Sequence, residues 1–198
     1  AGKRPAAVRR CSLGGAGARK GAKGALMRDD YPVVKDLVLI GGGHAHALVA
    51  RMWAMRPLSG VRLTLINPGP AAPYTGMLPG LIAGHYRRDE IMIDLVRLAR
   101  FAGARLILDR AVGLNPDRQE VLLQNRPPLR YDLASLDIGI GSDLPAIPGY
   151  VEFGTAAKPL GDYAGAWDAF VARRLAFPRL VIIGGGVGGI ELALASAH

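Results

Sequence analysis

Two glycine-rich turns, each between a β-rich apolar run and a helical pattern, constrain the fold of this chain most strongly. The first is Gly41-Gly42-Gly43, which follows residues 35–40, and the second is residues 184–189, which follow residues 179–183. A short apolar run that meets glycine and then a 3.6-residue pattern is typical of a buried parallel strand turning into a helix. Two such units predict an α/β fold with a parallel sheet.

The second turn carries the complete G-x-G-x-x-G spacing, at Gly184, Gly186 and Gly189. In this motif the first glycine makes the tight turn, the second lets the backbone approach a pyrophosphate, and the third lets the helix pack closely on the strand. The phosphate then accepts hydrogen bonds from free N–H groups at the positive end of the helix. We therefore predict a dinucleotide site here, preceded by a strand at 179–183.

The first turn is an imperfect version of the same motif. Gly41 and Gly43 are in place, but His46 occupies the third glycine position, where a side chain should push the helix away or require a local shift. An acid is commonly found about 20 residues further on, where it binds a ribose hydroxyl. Asn67 stands there instead, and its amide forms a weaker hydrogen bond than a carboxylate.

The remaining pattern fits one parallel sheet with an antiparallel insertion. Residues 67–80 hold four prolines and three glycines, which predicts a long loop without regular structure. Asp89 is the predicted cap of a helix that ends at Gly103. The other predicted elements are helices at 45–55 and 161–175, strands at 61–66, 105–108 and 131–140, and an antiparallel meander over 112–130.

The positive charge of the chain is concentrated at its start. The formal net charge is +9, but residues 1–26 carry seven Lys or Arg and no acid, which leaves 18 basic against 16 acidic residues elsewhere. The segment 1–32 is predicted to be a disordered basic tail, and we expect no nucleic-acid binding by the folded part. Because Met27 precedes the first patterned segment, the tail is interpreted as a leader or a misplaced start, with an organelle-targeting peptide as the alternative.

Cysteine content and hydropathy exclude several classes of protein. Cys11 is the single cysteine, so neither an internal disulfide nor a Cys-x-x-Cys pair can form, which is compatible with the cytoplasm. The charge-free stretch 37–50 is shorter than the roughly 20 residues of a membrane-spanning helix. His44 and His46 lie two positions apart and do not share a helix face, so no metal site is predicted.

Taken together, the two turns and the meander between them resemble the FAD-dependent pyridine nucleotide-disulfide oxidoreductase superfamily. The chain is most similar to its type II NADH dehydrogenase branch, in the variant that reads GGGHAHALV, PYTGMLPG, AGHY and LDIG. These motifs stand at 41–49, 73–80, 83–86 and 136–139. Some members of that variant are fused to selenide, water dikinase, so the resemblance implies a link to selenophosphate synthesis.

The resemblance also implies roles for particular residues. In this superfamily the first turn holds FAD, and the second opens an inserted NAD(P)H domain. Glu191 resembles a glutamate near the nicotinamide–flavin junction and is the catalytic candidate, with a solvated acid at a helix start as the alternative. The implied cofactor-binding residues are Gly41, Gly43, Ala45 and His46 at the FAD pyrophosphate, Asn67 at the adenosine ribose, Thr75, Gly76 and Met77 near the flavin ring, Gly141 and Ser142 in an ATG-like segment, and Gly184, Gly186, Val187 and Gly189 at the NAD(P)H pyrophosphate.

The domain organisation expected from this resemblance is a Rossmann-like FAD-binding domain at 33–149 followed by the beginning of a Rossmann-like NAD(P)H-binding domain at 150–198. Half of a second sheet cannot bury its own apolar face, so 150–198 is expected to pack poorly or to rely on the first domain. We interpret the chain as a fragment without full turnover. A missing C-terminal segment would then provide any peripheral association with the inner face of the membrane.

The implied reaction is hydride transfer from NAD(P)H to FAD and on to a quinone-like or other diffusible acceptor. Relatives with a redox disulfide carry a cysteine pair soon after the first βαβ unit, where this chain has 73–80, so disulfide reductase activity is not expected. Two alternatives stay open. One is a Rossmann dehydrogenase that uses NAD(P) alone at the first turn, and the other is an accessory flavoprotein module linked to selenophosphate synthesis.

Overall fold

The fold is built on a four-stranded parallel sheet, seen in a computed structural model that describes residues 32–141 and 147–198. The strands are β1 (Lys35–Ile40), β2 (Val61–Asn67), β3 (Ala71–Pro73), β4 (Met92–Asp94), β5 (Arg105–Leu108), β6 (Ala111–Asn115), β7 (Glu120–Leu123), β8 (Leu129–Arg130) and β9 (Leu133–Leu136). The helices are α1 (His44–Met55), α2 (Leu78–Ile82), α3 (Leu95–Ala102), α4 (Tyr150–Phe153), α5 (Leu160–Ala172) and α6 (Val187–Ala197), and Thr75–Met77 forms a 3-10 turn.

The main sheet has the strand order β5-β2-β1-β9, with every pair parallel. β1 lies in the interior, where Leu37 is in register with Leu63 of β2 and with Leu133 of β9. Leu39 and Leu65 are almost fully buried, as expected for strands covered on both faces. The predicted parallel α/β class and the β1–α1–β2 unit are confirmed.

Two apolar layers cover this sheet. On one side α1 and α3 pack together over a core that includes Leu39, Leu65 and Leu95. On the other side the antiparallel sheet β6-β7-β8 contributes Val121, which is fully buried against Val38 and Ile66. The predicted meander is therefore present, and it closes the second face of the sheet.

The segment 67–80 differs from the loop that its prolines and glycines predicted. β3 pairs antiparallel with β4, and the 3-10 turn runs directly into α2. Pro79 stands in the first turn of α2, where the N–H that proline lacks has no helical partner in any case. Burial of Leu78, Leu81 and Ile82 then stabilises this short helix.

The helix predicted to start after Asp89 begins later. Residues 92–94 form β4, so α3 starts at Leu95, and the cap is Asp94, whose carboxylate accepts a hydrogen bond of 2.9 Å from the Arg97 N–H. Pairing with β3 overrides the helical periodicity of these residues. The predicted end is correct, because Gly103 adopts a φ of 61° at the C-terminus of α3.

Residues 179–183 do not form the predicted strand. No strand of the described part of the chain pairs with them, and Val181 and Ile183 are exposed. A parallel strand exists only through hydrogen bonds to a neighbour, so an apolar run alone does not make one. α5 and α6 instead bury Leu160 and Leu192 against α2, as expected for a segment that cannot cover its own apolar face.

Three expectations about the chain's organisation have different outcomes. The basic tail, apart from residue 32, and Ser142 lie outside the described residues. The division into domains at residue 150 stays a prediction. Within 32–141 and 147–198, no helix has the length and apolarity needed to cross a membrane.

Replacing Asp94 tests which carboxylate caps α3. Asp94→Ala should lower the free energy of unfolding by about 1 kcal/mol, because it removes the acceptor for the Arg97 N–H. Asp89→Ala is the control, since Asp89 only pairs with Arg87 at the surface and should change stability less. Urea denaturation followed by far-UV circular dichroism measures both. A larger loss for Asp89→Ala would contradict the assignment.

Candidate functional site

The turn between β1 and α1 lies at the carboxyl end of the parallel sheet, where α/β proteins bind ligands. The Gly42 N–H donates to the Asn67 side chain at 2.9 Å. The N–H groups of Gly43, His44 and Ala45 have no acceptor among the described residues. Three free donors at the positive end of a helix form a site for an anionic group.

Asn67 fixes the shape of this turn from the end of β2. Its Oδ1 accepts the hydrogen bond from Gly42, and its Nδ2 donates to the Gly69 carbonyl at 2.7 Å. The side chain is buried, with 9% exposure. Both ends of the amide are thus engaged within the protein, and the predicted contact of Asn67 with a ribose stays a prediction.

His46, which replaces the third glycine, packs inward and does not push α1 away. The ring is 3% exposed, with Nδ1 2.7 Å from the Gly41 carbonyl and Nε2 2.9 Å from the Ser135 hydroxyl. Because a carbonyl only accepts, Nδ1 carries the proton, and in the neutral ring Nε2 accepts from Ser135. The histidine therefore joins the first turn of α1 to the glycine turn and to β9.

Asp137 is a site residue that sequence reasoning missed. It follows β9, and its carboxylate accepts a hydrogen bond of 3.2 Å from the His46 N–H. A Cβ on Gly43 would overlap with this carboxylate, so Gly43 is needed for the close approach. The available signal was a charged residue inside the apolar run 133–140, next to the point where a parallel strand leaves the sheet.

The segment Thr75–Met77 lies beside the start of α1, and its predicted position near a flavin ring stays a prediction. The ring of Tyr74, directly before Thr75–Met77, is 6.0 Å from the ring of His44. A cavity of about 360 Å³ opens between α1, this turn and β4. It is mainly apolar, and its lining includes His44, Leu48, Tyr74, Met77, Met92 and Leu98.

The second glycine turn is not preceded by the strand predicted at 179–183, and its assignment to a pyrophosphate stays a prediction. The space beside Gly184 and Gly186 is open, whereas a Cβ on Gly189 would overlap with the Gly184 carbonyl. The third glycine thus permits close packing of α6 on the turn, and Val187 is the first residue of that helix. Gly141 is exposed with open space beside it.

Glu191, the catalytic candidate, is an exposed residue of α6. The following residue, Leu192, is buried against α2, which begins directly after the Thr75–Met77 turn. The packing of α6 on α2 therefore connects the second glycine turn to the segment beside the first. No described side chain forms a hydrogen bond or ion pair with the Glu191 carboxylate.

A parallel sheet with a helix starting at its carboxyl end, a glycine turn with free N–H groups and a covering antiparallel meander define a Rossmann-type dinucleotide-binding protein. Residues 35–198 match the family of pyridine nucleotide-disulphide oxidoreductases, and the chain belongs to this family. It is a family of FAD-containing oxidoreductases that use NAD(P)H. The resemblance noted in the sequence is thereby confirmed at the level of family, fold class and cofactors.

Known relatives are similar over most of this chain. The NADH dehydrogenase-like protein YutJ of Bacillus subtilis is 27% identical over 165 residues, which cover 81% of this chain and 44% of YutJ. The sulfide:quinone oxidoreductase of Aquifex aeolicus is 25% identical, with a TM-score of 0.52, over 70% of this chain and 32% of that structure. The NAD-dependent persulfide reductase of A. fulgidus shares the fold, at 20% identity and a TM-score of 0.69, over 82% of this chain and 32% of that one.

These comparisons also set the extent of the match. The chain spans less than half the length of each of the three relatives, while most of its own residues are matched. The similarity includes both glycine turns, since the family match runs from the first residue of β1 to His198.

Restoring the missing glycine of the first motif should destabilise this protein. His46→Gly removes two side-chain hydrogen bonds, leaves a cavity beside β9 and places glycine in a helix, so we expect a loss of about 3 kcal/mol in the free energy of unfolding. His44→Gly, at an exposed position of the same helical turn, should cost clearly less. Chemical denaturation of both variants checks this, and equal losses would contradict the assigned role of His46.

Proposed function

We propose that this chain holds FAD at the β1–α1 turn and NAD(P)H at the turn before α6, as part of an enzyme that passes a hydride from NAD(P)H to flavin and on to a quinone-like acceptor. The observation that carries the proposal is the group of free N–H donors of Gly43, His44 and Ala45 beside a tightly fixed glycine turn. A pyrophosphate supplies the anionic oxygens that such donors bind. Membership of a FAD-containing family supports the choice of ligand.

We assign the FAD pyrophosphate to the first turn. Gly41 and Gly43 shape the turn, while His46 and Asn67 hold it through buried hydrogen bonds. Thr75–Met77 lies beside the same helix start and is assigned to the flavin ring. When bound, FAD supplies the capacity to accept two electrons as a hydride, and the residues of this chain supply position and electrostatics.

We assign the pyrophosphate of the nicotinamide cofactor to the second turn. The open space beside Gly184 and Gly186 leaves room for a ligand to approach the backbone, and Val187 begins the helix whose positive end faces that space. Glu191 is assigned to the nicotinamide end of the site. Its carboxylate has no partner in the described part of the chain and is therefore available to a ligand.

The proposed binding site of the electron acceptor is the cavity beside Thr75–Met77. Residues 73–80 contain no cysteine, so electrons cannot leave through a disulfide at this position. The mainly apolar cavity of about 360 Å³ has the size and character of a site for a small planar molecule. A quinone ring fits this chemistry, with His44 and Tyr74 available as hydrogen-bonding groups at the wall.

Two further predictions remain as the resemblance implied them. They are peripheral association with the inner face of the membrane and a functional link to selenophosphate synthesis, in which the chain would act as an accessory flavoprotein module. The reduction assay below separates the accessory role from the enzyme, because an accessory module that binds FAD would show no reduction by NADH.

The proposal predicts a yellow protein. The purified chain should show the absorption bands of oxidised flavin, release FAD on denaturation and lose the bands when NADH or NADPH is added. A colourless protein that still binds NADH at the first turn would support the alternative of a dehydrogenase without flavin.

A matched pair of glycine variants assigns each cofactor to its turn. Gly43→Val should lose FAD, because its side chain would overlap with the Asp137 carboxylate and disturb the first turn. Gly186→Val should keep FAD and lose its reduction by NADH, because the added side chain fills the open space beside the second turn only. Flavin content and anaerobic reduction are measured on both proteins. Loss of FAD from Gly186→Val with retention by Gly43→Val would reverse the assignment.

Filling the cavity should weaken acceptor binding. Leu48 lines the cavity and Val49, the next residue of α1, does not, so Leu48→Trp and Val49→Trp form a matched pair. We expect Leu48→Trp to bind a short-tailed benzoquinone about tenfold more weakly, equivalent to about 1.4 kcal/mol. Val49→Trp should bind it like the unmodified protein. Equal affinities of the two variants, measured by calorimetry on the FAD-loaded chain, would place the acceptor elsewhere.

A further inference from the structure

The first turn of α1 has no cap of its own. The residue before it, Gly43, has no side chain, and the first turn contains no acid. The capping group is the Asp137 carboxylate, which accepts from the His46 N–H across 91 residues of sequence. Asp137 directly follows β9 and is held against β1, since its own N–H donates to the Ile40 carbonyl at 2.8 Å.

This carboxylate stands at the edge of the same group of donors that are proposed to bind a pyrophosphate. The Asp137 carboxylate accepts from the His46 N–H, and the free N–H groups are those of the three residues immediately before His46. It also lies against Gly43, in the space that a Cβ would otherwise occupy. No basic side chain forms an ion pair with Asp137 among the described residues, so its charge is not neutralised locally.

We propose that Asp137 limits the affinity of this site for its dinucleotide, because its negative charge repels the pyrophosphate while its hydrogen bond holds the helix start in the binding geometry. The inference rests on the assignment of FAD to the first turn. Asp137 then has two separable effects. Its carboxylate oxygen shapes the site by accepting from the His46 N–H, and its negative charge opposes binding of the ligand. Like charges at contact distances in a partly exposed site repel measurably.

Asp137→Asn separates the two effects. Asparagine keeps an oxygen that accepts from the His46 N–H but carries no charge, so the variant should bind FAD about tenfold more tightly, the size expected for one like charge at the edge of a ligand site. Asp137→Ala removes both, and it should lower the melting temperature of the FAD-free protein by about 4 °C through loss of the cap. Asp137→Asn should leave that melting temperature nearly unchanged.

Asp132→Asn is the matched control. Asp132 precedes β9, and its carboxylate accepts from the Asp36 N–H at the opposite end of the sheet from the glycine turn. This variant loses the same unit of charge and keeps an acceptor oxygen, so it corrects for the change in net charge. Its affinity for FAD should match that of the unmodified chain.

The affinities are measured by titrating the FAD-free chain and its three variants with FAD and following flavin fluorescence. The advantage of Asp137→Asn should shrink when the salt concentration rises from about 0.1 M to about 1 M, since the screening length falls from about 10 Å to about 3 Å. A tighter, salt-sensitive Asp137→Asn supports the inference. An affinity equal to that of Asp132→Asn, or weaker than that of the unmodified chain, overturns it.

The outcomes also distinguish this inference from the proposed function. If none of the four proteins binds FAD, the assignment of FAD to the first turn is wrong, and the role of Asp137 fails with it. If all bind FAD with the same affinity, the assignment stands and only the electrostatic role of Asp137 fails.

Discussion

The arrangement of the first glycine turn depends on the hydrogen bonds of one buried histidine. His46 bonds the Gly41 carbonyl and the Ser135 hydroxyl, so that the start of α1 is fixed to β1 on one side and to β9 on the other. A histidine in an apolar interior is stable only when both ring nitrogens find partners. The same contacts that satisfy the ring also hold the backbone donors of the helix start in a fixed direction.

A second dependence links the two halves of the described chain. α2 presents Leu78, Leu81 and Ile82 to α5 and α6, which cover no sheet of their own within the described residues. Arg88 adds polar contacts to α5, with Asp168 at 3.3 Å and the Gly161 carbonyl at 3.1 Å. The turn that carries the second glycine motif is thus positioned by the short helix that follows the proposed flavin segment. Tyr163 packs against the same apolar cluster, and its burial raises the pKa of its phenol.

Sequence patterns predicted most of the sheet, because buried parallel strands and glycine turns leave local signals. The bounds of β1, α1 and β5 differ from the predicted ones by no more than one residue. The errors occurred where a partner distant in sequence decides the structure. Residues 92–94 became a strand through pairing with β3, and residues 179–183 stayed unpaired because no described strand lies beside them.

The sequence by itself determined the class of fold and the positions of both glycine turns, since the spacing of glycine and apolar residues is a local property. Only the tertiary structure decided how the first turn works without its third glycine. His46 is 89 residues from Ser135 and 91 residues from Asp137 in the chain, and it meets both because β1 and β9 pair in parallel. Contacts of that separation depend on the packing of the whole sheet and carry no short-range signature in the sequence.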